Sequence, residues 1–360
     1  MHHLAGIRYY LVLLAFTCCF TLFFNLDKPG SADFNLEPFN PESVPTIEEE
    51  EARQFEKLVS NFREIGTVNS IVIRKQDGEL IEKYFDWMNA DRATNIKSAS
   101  KSILSLLIGI AIDKSYLAGV DQTLEPFFPE YFKANPDSEK AAITIKDLLT
   151  MRSGLRTTSF HHYGKWVSSD DWVTYALDRP LVQKSGDKMV YSTGSSHLLS
   201  VILTKATGMN TKEFAEKHLF KPMDIELNNW IRDPQGYYLG GNDMVLKPED
   251  MIKIGRMVMD FGNYNGKQLV SKEWIEESLK AYTKSPASHY DYGYMWWREK
   301  VADYEIEFAW GYAGQYILMF PELDAVVAIT SDITRNRGSR EYQKEMFAFI
   351  ENSLIPYLEY

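Results

Sequence analysis

The stretch from Ser98 to Ile112 reads SASKSILSLLIGIAI, and two signals in it together decide the fold. After its first turn the segment is apolar on nearly every face, which predicts a helix buried on all sides. At its start, Ser98 and Lys101 stand three positions apart, so on a helix their Cβ atoms lie about 5–6 Å from each other. The sequence therefore predicts a central helix that carries a serine and a lysine side by side.

This serine–lysine pair has a catalytic and a structural interpretation. A serine hydroxyl becomes a strong nucleophile when a base takes its proton, and a lysine can be that base where burial lowers its pKa. The helix N-terminus adds N–H groups and positive potential for an acyl oxygen. The structural alternative is a capping Ser98 beside a solvated Lys101. The apolar body of the helix favours the catalytic interpretation.

Strand patterns lie toward both ends of the chain. Residues 70–75 (SIVIRK) and 79–85 (ELIEKYF) flank the turn Gln76-Asp77-Gly78, which predicts a hairpin. Residues 315–320 (QYILMF) and 325–332 (AVVAITSD) flank a second predicted turn. Because these strands alternate with short turns, they predict an antiparallel sheet.

Helical patterns fill the rest of the body. The spacing predicts helices from about Glu49 to Ile65 and from about Ser339 to Tyr357. We therefore expect an α/β (α+β) fold in which an antiparallel sheet is flanked by helices. Its expected parts are α/β regions at about 51–94 and 281–357 and an inserted all-helical region at about 95–280.

Composition excludes several classes of function. The 360 residues include 39 Lys and Arg against 50 Asp and Glu, for a formal net charge of −11, which argues against nucleic-acid binding. Both cysteines, Cys18 and Cys19, precede the body, so it has no disulfide framework, thiolate zinc site or cysteine nucleophile. The adjacent His161 and His162 are interpreted as loop residues, and no metal or organic cofactor is expected.

An uncharged run near the N-terminus predicts export. Residues 9–24 carry no charge and follow Arg8, but they are short of the about 20 apolar residues of a typical membrane span. Residues 1–26 are therefore a signal peptide or an N-terminal membrane anchor, with lipidation at one of the cysteines a third alternative. The lack of a small-residue cleavage site favours the anchor. Residues 27–50 are expected to be an extended tether, which leaves the body membrane-anchored outside the cytoplasm (periplasmic or extracellular).

Two later motifs carry further candidate residues. Tyr191-Ser192-Thr193 precedes an apolar helical stretch that ends at Thr207-Gly208, so it can bring a phenol and a hydroxyl beside a Ser/Lys pair. Trp310-Gly311-Tyr312 leads into the strand at 315–320, and its glycine permits close approach of a ligand to the backbone. Taken alone, each also fits a packed tyrosine or an ordinary turn.

In this order and spacing the three motifs resemble the serine β-lactamase and penicillin-binding-protein superfamily. Within it the chain is similar to the class C β-lactamase-related esterases and amidases, and most of all to the 6-aminohexanoate-dimer hydrolases. The resemblance runs from about residue 52 to 357 and includes residues 143–155 (ITIKDLLTMRSGL), 240–278 and 292–297 (YGYMWW). It implies a β-lactamase/DD-peptidase-like fold.

The resemblance also implies roles for individual residues. Ser98 would be the nucleophile, Lys101 its base partner, and Tyr191 the group that passes a proton to the leaving group. Whether Lys101 or Tyr191 is the primary base stays open. The backbone N–H groups of Ser98 and Tyr312 would form the oxyanion hole. The substrate cleft would include Thr193, Trp310 and Gly311.

Two positions depart from the superfamily's pattern. Thr193 stands where the second motif usually has Asn, and Trp310-Gly311-Tyr312 stands where β-lactamases and peptidases have Lys-Thr-Gly or His-x-Gly. The third motif therefore offers no cation to hold a substrate carboxylate. This argues against efficient turnover of β-lactams or D-Ala-D-Ala peptides, and it fits the esterase and amidase relatives, which also lack the cation.

We therefore expect a serine hydrolase that cleaves a small-molecule ester or linear amide through an acyl-enzyme on Ser98. The alternatives are a β-lactamase or peptidoglycan D-Ala-D-Ala peptidase, a penicillin-binding module that acylates without turnover, and an inactive scaffold. No nucleic-acid partner is expected, and the membrane is contacted only through the N-terminal segment. The sequence leaves the natural substrate and the oligomeric state open.

Overall fold

The computed structural model describes residues 47–76, 78, 80–334 and 340–360. Its strands, in chain order, are β1 (Val68–Lys75), β2 (Ile81–Tyr84), β3 (Thr94–Asn95), β4 (Asn229–Trp230), β5 (Met244–Leu246), β6 (Asn263–Tyr264), β7 (Lys267–Gln268), β8 (Thr283–Lys284), β9 (Asp291–Tyr292), β10 (Trp297–Val301), β11 (Tyr304–Gly311), β12 (Gln315–Phe320) and β13 (Ala325–Ser331). Among the described residues, eight strands form one sheet in the order β2-β1-β13-β12-β11-β10-β9-β8. Smaller sheets have the orders β3-β5-β4 and β6-β7. Every pair of neighbouring strands in the large sheet is antiparallel.

Helices cover both faces of the large sheet and fill the middle of the chain. The described α-helices are α1 (Ile47–Glu64), α2 (Ser100–Asp113), α3 (Pro129–Ala134), α4 (Ser138–Ala141), α5 (Ile145–Leu149), α6 (Tyr163–Val167), α7 (Trp172–Leu177), α8 (Thr193–Thr207), α9 (Thr211–Ala215), α10 (Pro248–Met259), α11 (Lys272–Ser278), α12 (Arg340–Phe349) and α13 (Ile355–Glu359). Single π-helical turns, Glu216–Phe220 and Ile350–Leu354, extend α9 and join α12 to α13. No helix within the described ranges is long and apolar enough to cross a membrane. The predicted segment at 1–26 and nearly all of the tether at 27–50 lie outside those ranges.

The two predicted hairpins are present as paired strands. β1 pairs with β2, and β12 pairs with β13 across a 3₁₀ turn at Pro321–Leu323. That turn closes at Asp324 with a φ of 46°, a left-handed conformation that aspartate tolerates better than most residues. Asp77 of the first predicted turn lies outside the described residues.

The central strands are covered on both faces, which explains their uninterrupted apolar runs. Every residue of β12 and β13 is buried. Gly255 of α10 lies against one face, where an added Cβ would come within 2.8 Å of the Ile317 side chain. On the opposite face, the ring of Tyr316 lies 6.5 Å from that of Phe347 in α12. The expected antiparallel sheet flanked by helices is therefore confirmed.

Two buried helices pack against each other, and the first of them, α2, also contacts β11. All residues of α2 from Ser100 to Ala111 are buried, which confirms the predicted all-round burial. α8 is buried from Thr193 to Leu203 and contacts α2. It ends at Gly208 with a φ of 70°, where glycine supplies the left-handed cap. The pair α2–α8 brings the first two sequence motifs together.

Residues Glu49–Tyr360 form one compact unit. The large sheet takes its strands from 68–84 and from 283–331, so both ends of the body build it. The middle region, expected to be all-helical, also contains the short strands β4 to β7. Because these strands have only two or three residues, they leave no alternating pattern in the sequence. The boundaries at about 94 and 281 stay a prediction.

Candidate active site

Ser98 lies in a single 3₁₀ turn, Lys97–Ala99, that leads directly into α2. Lys97 has a φ of 50°, a left-handed conformation that costs a lysine energy and turns the chain sharply before Ser98. Ser98 is half-buried, whereas Ala99 behind it is fully buried. The Ser98 hydroxyl is therefore accessible from outside at the N-terminal end of a buried helix.

Lys101 lies one turn further and is almost completely enclosed, with 1% of its surface exposed. Its Nζ donates to Ser98 Oγ at 3.1 Å and to the Gly241 carbonyl oxygen at 2.6 Å. Burial lowers the pKa of Lys101 to about 7, and the negative charge of Asp243 opposes this shift. Near neutral pH a large fraction of the amine is therefore uncharged and able to take a proton from Ser98.

Tyr191 lies against the same two groups. Its hydroxyl hydrogen-bonds to Ser98, and the Nζ of Lys101 sits 5.2 Å above its ring. Burial raises the pKa of Tyr191 to about 12, although the bond to Ser98 lowers it. The phenol therefore stays protonated at neutral pH. The environment thus moves the pKa of the lysine down and that of the tyrosine up, the separation expected of a base and an acid working together.

Thr193, at the start of α8, completes this cluster. Its Oγ1 lies 3.3 Å from Lys101 Nζ, from which it accepts a hydrogen bond, and 2.9 Å from Ser159 Oγ. Ser159 Oγ also accepts from the backbone N–H of Thr193 at 2.8 Å. Ser159 was missed in the sequence analysis. The only signal for it was the run of three hydroxyl residues at 157–159 that follows the family segment 143–155.

A glycine turn closes the cluster on another side. An added Cβ at Gly240 would lie 2.3 Å from the Ser196 carbonyl oxygen, and one at Gly241 would lie 2.3 Å from Lys101 Cγ. Gly241 also has a φ of +81°, which favours glycine. In the sequence this turn belongs to the segment 240–278, which shares in the family resemblance. Its backbone carbonyl is nevertheless a direct partner of Lys101.

A second lysine lies close to the serine but is held by a carboxylate. Lys97 Nζ donates to Asp243 Oδ1 at 2.9 Å. The same oxygen accepts from Asn95 Nδ2 at 2.5 Å. Lys97 is only partly exposed, and its charge is neutralised by this pair. This ion pair was not predicted from the sequence.

Aromatic rings form a continuous row beside Tyr191. The centre of the Phe160 ring lies 6.0 Å from that of Tyr191, and the Trp297 ring stacks on Tyr191 at 6.0 Å. Trp310 lies 5.4 Å from Trp297, so it stands one ring further along the row than the residues that contact Tyr191. Phe160 is 70% exposed, at the open end of the row. Trp166 and Trp296, by contrast, are core residues.

The third motif reaches the serine through its backbone. An added Cβ at Gly311 would lie 2.1 Å from the Ile96 carbonyl oxygen, so only glycine lets the end of β11 approach the turn that carries Ser98. Tyr312 follows at once and has 44% of its surface exposed. The first and third motifs therefore lie side by side. The use of the Tyr312 N–H in an oxyanion hole stays a prediction.

A profile of the protein family described as Beta-lactamase matches residues 55–346. The chain is 25% identical over 206 residues to Protein flp of Staphylococcus aureus (strain MW2), a match that covers 50% of this chain and 40% of that protein. The chain spans only 40–43% of the length of the first curated relatives. It is 21% identical over 265 residues to the 6-aminohexanoate-dimer hydrolase of Paenarthrobacter ureafaciens, covering 70% of this chain and 67% of that protein.

Solved structures with the same fold include an amidase. The D-amino acid amidase of Ochrobactrum anthropi SV3 superposes with a TM-score of 0.67 at 13% identity, covering 85% of this chain and 99% of that one. At this identity the similarity shows a shared fold.

Proposed function

Because this chain belongs to the beta-lactamase family, we propose that it is a serine hydrolase that cleaves an ester or a linear amide through an acyl-enzyme on Ser98. One observation carries the proposal. The buried Lys101 amine, with its pKa lowered to about 7, lies 3.1 Å from the Ser98 hydroxyl. Relatives with hydrolase and amidase names support the same class of reaction.

Acylation begins with proton transfer from Ser98. The uncharged Lys101 takes the Oγ proton while Oγ forms a bond to the carbonyl carbon of the substrate. The carbonyl electron pair moves onto its oxygen, which gives a tetrahedral oxyanion. In this proposal the backbone N–H groups of Ser98 and Tyr312 donate to that oxygen. The close approach of Gly311 to Ile96 supports this pairing.

Collapse of the intermediate breaks the bond to the leaving group. The Tyr191 hydroxyl donates its proton to the departing oxygen or nitrogen and regains one from the protonated Lys101, whose Nζ lies 5.2 Å from the centre of the tyrosine ring. Water then attacks the acyl-enzyme by the same steps in reverse, releasing the acid and restoring Ser98. No other proton donor or acceptor is needed for the cycle to balance.

We propose that the substrate group next to the third motif is uncharged. Relatives that bind a substrate carboxylate have a cation in this motif. Trp310, Gly311 and Tyr312 supply no positive charge, and Lys97 is already paired with Asp243. A carboxylate brought into such a site loses its hydration without gaining a partner, at a cost of several kcal/mol. A neutral group beside the aromatic row carries no such penalty.

A substrate panel tests the proposed function. Purified protein is assayed against short p-nitrophenyl esters, p-nitroanilides of linear amides, a chromogenic β-lactam and a D-Ala-D-Ala peptide. We expect turnover of an ester or a linear amide and little or none of the last two. Stoichiometric acylation by the β-lactam without turnover would favour a penicillin-binding module instead. No reaction with any of them would favour an inactive scaffold.

We also propose that residues 9–24 hold the body at a membrane, outside the cytoplasm. The uncharged run after Arg8 supports this placement. In fractionated cells the full-length protein should sediment with membranes, and protease added to intact spheroplasts should digest the body. Recovery of intact, full-length protein in the cytosol would contradict this proposal.

A further inference from the structure

A buried histidine and aspartate lie outside the groups described so far. His197 Nε2 and Asp233 Oδ2 are 2.8 Å apart, and neither side chain has any exposed surface. The rings of Trp166 and Trp172 each lie 5.8 Å from the imidazole. Burying polar groups this completely destabilises the fold unless each of their hydrogen bonds is made. The arrangement of these bonds therefore indicates what the pair does.

The hydrogen bonds define the tautomer of His197. The backbone N–H of Gly240 donates to His197 Nδ1 at 3.2 Å. Because an amide N–H can only donate, Nδ1 carries no proton, and the proton of the neutral ring sits on Nε2. His197 therefore donates to Asp233 and accepts from Gly240. The His197 ring thus links Asp233 to Gly240 through two hydrogen bonds.

These hydrogen bonds lead to the turn whose carbonyl accepts from Lys101, the candidate base. Gly241, the residue after Gly240, offers its carbonyl to Lys101 Nζ at 2.6 Å. Its Cα is also so close to the lysine stem that an added Cβ would lie 2.3 Å from Lys101 Cγ. Ser196, next to His197 on α8, fixes the Gly240 carbonyl from the same helix at 2.8 Å. A shift of the glycine turn would therefore move both the carbonyl that accepts from Nζ and the Gly241 backbone that packs against the lysine stem.

We propose that His197 and Asp233 are positioning residues for Lys101, which hold the Gly240–Gly241 turn so that its carbonyl keeps Nζ beside Ser98. The inference rests on the proposed function, in which Lys101 is the base. The ionisable groups that face Lys101 are Tyr191 and Asp243, the latter paired with Lys97. The only charged group in contact with His197 is Asp233, among the described residues.

Three variants test this role. His197→Phe keeps a ring in the cage but removes both hydrogen bonds, and Asp233→Asn preserves the shape of the carboxylate. We expect kcat on a neutral ester to fall at least about tenfold in His197→Phe, with KM changed by less than about twofold. The acidic midpoint of the pH–kcat profile should move by about half a unit or more, because a displaced turn changes both the hydration of the Lys101 amine and its hydrogen bond to the Gly241 carbonyl. Asp233→Asn should shift both values in the same direction by less, and His197→Gln, which can donate and accept, should recover part of the loss.

A matched control separates positioning from a general loss of stability. Thr211→Val removes a buried hydroxyl that bonds to Ser200, which lies on α8 as His197 does. The Thr211 hydroxyl touches neither Gly240 nor Gly241. It should lower the melting temperature and leave the acidic midpoint unchanged. Wild-type values of kcat and midpoint in both His197→Phe and Asp233→Asn would overturn the proposal.

A measurement that needs no turnover distinguishes the two proposals. The ¹⁵N resonance of Lys101 Nζ, assigned with Lys101→Met, is titrated in wild type and in His197→Phe, which lacks both hydrogen bonds. A midpoint that moves in the variant supports positioning, and an equal midpoint overturns it. If wild type hydrolyses no substrate in the panel, the proposed function fails, while this titration still decides the role of the pair.

Discussion

Two walls of the site are built by different chemistry. On one side Lys101, Thr193 and the Gly241 carbonyl are joined by hydrogen bonds of 2.6–3.3 Å, with Ser159 behind them. On the other side Tyr191 is bordered by the rings of Phe160 and Trp297 at 6.0 Å. Hydrogen bonds fix atoms within tenths of an ångström, whereas ring contacts tolerate variation. The polar wall therefore suits proton transfer, and the aromatic wall suits selection of the substrate.

The largest effect should come from removing the nucleophile between the walls. Ser98→Ala should lower kcat by about a thousandfold or more and leave the melting temperature close to that of wild type, because Ser98 is half-buried. The measurement is initial-rate hydrolysis of a p-nitrophenyl ester. Ser102→Ala is the matched control, since Ser102 lies on α2 about one turn after Ser98 and its buried Oγ donates to the Met295 carbonyl at 2.6 Å. It should lose about 1 kcal/mol of stability and keep its activity. Equal activity of Ser98→Ala and wild type would remove Ser98 from the mechanism.

The second-largest effect should come from breaking the proton path between Lys101 in the polar wall and Tyr191 in the aromatic wall. Lys101→Met and Tyr191→Phe should each reduce kcat by about a hundredfold or more, since each breaks the transfer from Ser98 to the leaving group. The double variant should lose much less than the sum of the two free energies, because a broken path cannot be broken twice. Rates of the four proteins in a double-mutant cycle measure this coupling. Additive losses would mean that the lysine and the tyrosine act independently.

A smaller effect concerns the preference for neutral substrates over substrates that carry a carboxylate. Wild type should prefer neutral esters or amides over carboxylate-bearing analogues such as penicillins by at least about tenfold in kcat/KM. Asp243→Asn should narrow this ratio, because it frees the Lys97 ammonium from its pair at 2.9 Å. The ratio is the useful readout, since any change in the pKa of Lys101 affects both substrates alike. A wild type that hydrolyses penicillins as fast as neutral esters would refute the proposed selectivity.

The smallest effect should come from the open end of the aromatic wall. Phe160 is 70% exposed and contacts the Tyr191 ring, so Phe160→Ala should raise KM for aryl esters by about threefold and change kcat by less than about twofold. Acetate esters of small alcohols provide the comparison, because they have no ring to lose contact with Phe160. A large fall in kcat for both substrates would instead place Phe160 with the polar wall.

The sequence predicted the parts of the site that are local. Ser98 and Lys101 are three residues apart, so helical spacing predicted that their side chains touch. Tyr191 and Thr193 were placed beside them through the family resemblance, and the structure brings all four residues together. The Gly241 carbonyl lies 140 residues from Lys101, and Ser159 lies 34 residues from Thr193. Backbone carbonyls and lone hydroxyls leave no mark in a sequence, so only the tertiary fold reveals these partners.

The same limit applies to the fold. Strands of six to eight residues, such as β1, β12 and β13, were predicted with their turns, because alternation and turn residues are visible over that length. The two-residue strands β3 and β4 were missed, although they join β5 in a small sheet next to the Ser98 turn. His197 and Asp233 were missed for another reason, since a single buried histidine looks like any core residue until its partners are known.

The central claim is that Ser98 is a nucleophile activated by the buried Lys101 amine. The most direct test is the rate of covalent labelling by a fluorophosphonate as a function of pH, with the adduct mapped by mass spectrometry. An amine with a pKa of about 7 must lose its proton to act as a base. We therefore predict an adduct on Ser98 alone, formed slowly at pH 5, half-maximal near pH 7 and constant above about pH 8, with this dependence lost in Lys101→Met. An adduct on another serine, or a Ser98 labelling rate that does not change between pH 5 and pH 8, would contradict the claim.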